Sequence, residues 1–74
     1  MEEEIEEKLN EIYNFGIDVK YREYGLYDIY CSIPNDSFCI PIIYISNLTL
    51  EGNITNIINK IDGQIVKLFK KGIF

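Results

Sequence analysis

The sequence predicts an α+β fold, a two-layer sandwich in the order α-β-β-β-α, with a three-stranded antiparallel meander and both helices on one face. Three observations predict it. Apolar residues recur at helical spacing near both ends of the chain, the centre alternates with a period of two, and the alternating stretches are short enough to be joined by tight turns. Helical stripes and strand faces of this kind bury their apolar sides only by sharing one core.

Residues 2 to 15 carry Ile5, Leu9, Ile12 and Tyr13 at helical spacing, with Glu2, Glu3 and Glu4 where the helix dipole favours negative charge. Gly16 is read as the C-terminal cap of this helix. From Ile17 to Glu23 an alternating pattern places Ile17, Val19 and Tyr21 inward. A three-residue connection, Tyr24-Gly25-Leu26, sets Tyr21 across from Ile29 and Val19 across from Cys31.

Residues 26 to 46 form the central hairpin. Tyr27, Ile29, Cys31 and Ile33 point inward from its first arm, and Leu26, Asp28, Tyr30 and Ser32 point outward. With a turn at Pro34-Asn35-Asp36-Ser37, Ile33 faces Phe38, Cys31 faces Ile40, Ile29 faces Ile42 and Tyr27 faces Tyr44. The second arm, residues 38 to 46, contains Pro41, which cannot donate a ladder hydrogen bond and so belongs on an edge. Cys31 and Cys39 then point to opposite faces and are read as free thiols.

Thr49 caps a long helix, residues 50 to 71, whose apolar stripe is Ile54, Ile57, Ile58, Ile61, Ile65, Leu68 and Phe69. Asn53, Asn56, Lys60, Gly63 and Lys67 make its polar stripe. Gly72 is expected to close the helix, with Ile73 or Phe74 folding back on Leu68.

Seventy-four residues make one domain, 1-74, near the size at which a single core barely outweighs the entropy of ordering the chain. Self-association would add stability. The net charge of −5 is polarised, at −5 over residues 1 to 11 and +3 over residues 60 to 74. That balance disfavours phosphate-driven nucleic-acid binding and allows attraction to a basic protein. There is no His, Trp or Ala, while Ile, Asn, Tyr and Lys are abundant, a usage that fits AT-rich coding in a low-GC bacterium or its phage. No signal peptide or membrane span is read, so the expected location is the cytoplasm of a bacterial host cell.

Chemistry finds no purchase. Without His, a Cys-x-x-Cys pair, a calcium-type loop or a Gly-rich phosphate loop, no metal, cofactor or catalytic constellation is expected, and the chain is read as no enzyme. The helix, three strands, helix order is shared with double-stranded RNA-binding domains, which grip phosphate with lysines at the start of the second helix. Here that segment is Thr49-Leu50-Glu51-Gly52-Asn53, so the similarity is one of topology only.

Two surfaces remain as partner-binding candidates. One is the acidic first helix, with Glu3, Glu4, Glu7 and Glu11; the other is the outer sheet face, with Asp28, Tyr30, Pro41, Ile43 and Ile45, joined by Leu26 and Cys39. The sequence thus points to a small acidic protein-binding module, an inhibitor of anti-defence, anti-CRISPR or immunity type acting on a basic nucleic-acid-handling protein. The alternative is a structural protein that self-associates, as a homodimer, through the outer sheet face. A weaker alternative is nucleic-acid binding through Lys60, Lys67, Lys70 and Lys71.

Overall fold

The computed structural model describes residues 1–34 and 36–71. Helix α1 (Glu2–Ile12) leads into strands β1 (Gly16–Glu23), β2 (Leu26–Ile33) and β3 (Asp36–Ile43), and helix α2 (Leu50–Lys70) follows. The strands form one antiparallel sheet in the order β1-β2-β3, so the α-β-β-β-α meander is as expected and Pro41 lies on an edge strand. Both helices pack on the same face. Ile5 and Leu9 of α1 and Ile54, Ile57 and Ile61 of α2 share a core with Ile17, Val19, Tyr27, Ile29, Cys31 and Ile42.

Helix α1 is shorter than its periodicity implies. It stops at Ile12 because Tyr13 is already extended, and the Tyr13 amide closes on the Leu9 carbonyl at 3.0 Å. The early exit lets Tyr13 stack on Phe15, ring centres 5.0 Å apart, and pack both rings against the core. Ile12, expected on the buried stripe, is exposed. Gly16 is no helix cap either, since it opens β1 and lacks a positive φ.

Both hairpin registers differ from expectation by two residues. In the second hairpin Ile33 pairs with Asp36, Cys31 with Phe38, Ile29 with Ile40 and Tyr27 with Ile42. The turn is therefore two residues long, not four; of these, Asn35 lies outside the described residues. Asp36 and Ser37 belong to β3, where the Asp36 carboxylate accepts the Ser37 amide at 2.8 Å. In the first hairpin Val19 pairs with Ile29 and Tyr21 with Tyr27, and a bulge at Arg22 brings Glu23 opposite Leu26. Its turn is Tyr24-Gly25 alone, with φ of 50° and 76°, the doubly left-handed pattern of a type I′ turn. A slip of two preserves the pleat, so every inward residue of β2 stays inward. Cys31 is buried, Cys39 is exposed, and both are free.

The outer edge of β1 is closed by side chains of α1. Glu2 accepts the Tyr21 amide, Glu6 accepts the Val19 amide at 2.9 Å, and Asn10 accepts the Ile17 amide at 3.3 Å while donating to the Ile17 carbonyl at 3.2 Å. Four helical residues advance about 6 Å and two strand residues about 6.8 Å, which is why positions 2, 6 and 10 meet 21, 19 and 17. Since these three amides point away from β2, alternation across the sheet turns the backbone groups of Cys39, Pro41 and Ile43 away from β2 as well. The missing N–H of Pro41 therefore costs the ladder nothing.

Helix α2 opens as expected, with Thr49 Oγ1 accepting the Gly52 amide at 3.1 Å. At 21 residues it spans about 31 Å, longer than the roughly 27 Å of an eight-residue strand, so its last turn overhangs the sheet. Phe69, expected in the buried stripe, is exposed there. The expected roles of Gly72, Ile73 and Phe74 fall outside the described residues.

Candidate interaction surfaces

The carboxylates of α1 divide by position. Glu2 and Glu6 face β1 and hold its edge, whereas Glu3, Glu4, Glu7 and Glu11 are exposed. Lys8 is the only lysine among them, and Glu4 lies 3.7 Å from the Met1 amino group. Glu3, Glu7 and Glu11, with Glu4 partly offset by that amino group, set a negative potential along one side of the helix.

On the outer sheet face, Tyr30, Pro41 and Ile43 are exposed, with Ile43 68% accessible. Asp28 behaves differently from an exposed partner contact. It is 8% accessible and lies under Arg22, whose Nε donates to Oδ2 at 3.1 Å and whose Nη2 donates to Oδ1. Its cross-strand neighbour is Lys20, yet the guanidinium two residues along takes the carboxylate in the bidentate geometry that favours Arg. Tyr30 stands across from Cys39, and that thiol, followed by Asp28, pushes the Tyr30 hydroxyl above its usual range.

Ile45 does not join this face. Strand β3 ends at Ile43, and Ile45 turns into a groove of about 500 Å³ between β3 and α2. Ile42 and Ile57 are its buried apolar floor, Ile43 and Ile45 its exposed walls, and Asn56, Asn59 and Lys60 its polar rim.

Asn53, expected in the solvent-facing stripe of α2, is 2% accessible. Its amide accepts the Ile45 N–H at 2.8 Å and donates to the Ile45 carbonyl at 2.9 Å and the Thr49 carbonyl at 3.1 Å. Asn56, Lys60, Gly63 and Lys67 do face solvent, as do Lys70 and Lys71. Where the two helices meet, the Tyr13 hydroxyl donates to Asp62 Oδ1 at 2.6 Å, and burial followed by that carboxylate pushes its pKa well above the usual value. Burial also pushes the Cys31 thiol up to about 11.

The sheet therefore separates the candidate residues into two regions. Glu3, Glu4, Glu7 and Glu11 lie on α1 away from β1, with Glu4, Glu7, Lys8 and Glu11 lining a cleft that reaches Leu50 at the start of α2, while Tyr30, Pro41 and Ile43 lie on the outer sheet face, towards β3. The side chains that sequence reasoning missed are Glu2, Glu6, Asn10, Arg22 and Asn53. The i, i+4 spacing of Glu2, Glu6 and Asn10 beside the period of two in Ile17, Val19 and Tyr21 was the one visible signal.

No protein-family model, curated protein or solved structure matches the chain. Among the described residues, no helix is long and apolar enough to cross a membrane.

Proposed function

We propose that this chain is a non-enzymatic protein-binding module, an inhibitor from a phage or mobile element that engages a basic nucleic-acid-handling protein in the host cytoplasm. Anti-defence, anti-CRISPR and immunity-type inhibitors are the classes meant. The observation that supports this reading is the division of labour on α1: two carboxylates hold the β1 edge, and Glu3, Glu4, Glu7 and Glu11 remain directed at solvent. Such a row attracts a basic surface and raises its association rate, in a salt-dependent way. Capture of partners from a bacterial lysate on the immobilised protein tests it. The expected result is a basic nuclease or similar protein, lost on raising salt and on reversing charge at Glu3, Glu4 and Glu7; salt-insensitive capture, or none, counts against it.

A second reading is self-association through the outer sheet face, favoured by the exposure of Ile43 beside Tyr30 and Pro41. An exposed apolar face of this kind is a common interface. Light scattering over a range of concentrations separates the two. A dimer that Ile43→Lys dissociates supports self-association, and a monomer throughout removes it.

A further inference from the structure

We propose that the groove between β3 and α2 is a binding site for a free medium-chain fatty acid, with the acyl chain along the isoleucines and the carboxylate at Lys60. This goes beyond the protein-binding reading and does not depend on it. The volume of about 500 Å³ falls within the range of small-ligand sites, which are mostly apolar with a few polar groups that fix orientation. Here the apolar and polar groups are segregated. The isoleucine walls and floor come from β3, Ile45 and Ile57, while Asn56, Asn59 and Lys60 line one rim from a single helix.

Charge selects the headgroup. Lys60 is the only charged residue lining the groove of a chain whose net charge is −5, and among the described residues it forms no ion pair. A carboxylate at the mouth therefore meets an unengaged cation, and none of the exposed acids of α1 is among the residues that line the groove. The site is also held open in advance. Asn53 fixes both backbone groups of Ile45, so the wall is held in place before any ligand arrives.

Titration of isotope-labelled protein with decanoate, below its micellar concentration, tests the proposal, with decanol as the neutral control. Saturable shifts confined to Ile43, Ile45, Asn56 and Lys60 are expected, with decanoate binding at least tenfold tighter than decanol. Lys60→Met should abolish that tenfold preference, and Ile43→Ser, at an exposed wall, should weaken both ligands without unfolding the chain. Decanol binding as tightly as decanoate, shifts elsewhere, or no shifts overturn it. So does concentration-dependent broadening of the same signals without ligand, which makes a second copy the occupant, and so does binding to phosphatidylglycerol vesicles in place of decanoate.

Discussion

Asn53 pairs with the backbone of Ile45 as a neighbouring strand would, accepting its N–H and donating to its carbonyl from the second turn of α2. The contact ties the end of the sheet to the start of the helix across a connection with no other regular structure. Asn53→Ala leaves those part-buried backbone groups without their protein partner, and the expected loss is about 1–2 kcal/mol in urea denaturation. A loss within experimental error would show that water replaces the amide without penalty.

The carboxylates of α1 should separate into two classes by mutation. Replacing Glu2, Glu6 and Asn10 with Ala exposes the amides of Tyr21, Val19 and Ile17. Roughly 1 kcal/mol for each lost acceptor is expected, with faster hydrogen exchange at Val19. Replacing Glu3, Glu7 and Glu11 with Gln should change stability by less than about 0.5 kcal/mol. Equal effects in the two sets would refute the assignment of roles.

Gly63 lies on an exposed face of α2, and a Cβ built there meets nothing within 4 Å. Gly63→Ala should therefore stabilise the protein by about 1 kcal/mol through helix propensity alone. A destabilised variant would reveal a contact at this position that the monomer lacks.

Tyr24 is 92% exposed and holds a left-handed conformation that only Gly, Asn and Asp adopt at low cost. Tyr24→Asn should raise stability by up to about 1 kcal/mol, and Gly25→Ala, at φ 76°, should lower it by at least as much. Thermal melts of the two variants should move in opposite directions.

The Cys31 thiol titrates near 11 in the folded protein, above its usual value near 9, because burial disfavours the thiolate. A raised folded pKa gives stability that is complete below the unfolded pKa and declines as pH rises through the folded one. Stability should fall between about pH 9 and 11, and Cys31→Val should flatten that part of the profile. At pH 8, a thiol reagent should modify Cys39 in the native protein and reach Cys31 only after unfolding.

Element order, faces and the edge position of Pro41 were legible because they depend on periodicity, which any register with the right parity satisfies. Registers were not. Ile33 opposite Phe38 and Ile33 opposite Asp36 bury the same side of β2, and turn length alone decides between them. The second turn gave no Asn-Gly signal at its corner, and the first placed a Tyr where Asn or Asp is usual. Asn53 was misplaced because a polar residue on a helix reads as solvent-facing unless its backbone partner, eight residues back, is known. The pairing of Arg22 with Asp28 depends on a bulge, which leaves no period in the sequence.

The Tyr13 to Asp62 hydrogen bond spans 49 residues, while every strand pairing and the α1–β1 ladder join neighbours in the chain. Local pairings carry little loop-closure entropy, which favours rapid assembly of α1 and the meander before α2 closes over them. The phenol at the end of the first helix therefore reports on the last event of that sequence, the docking of the second helix.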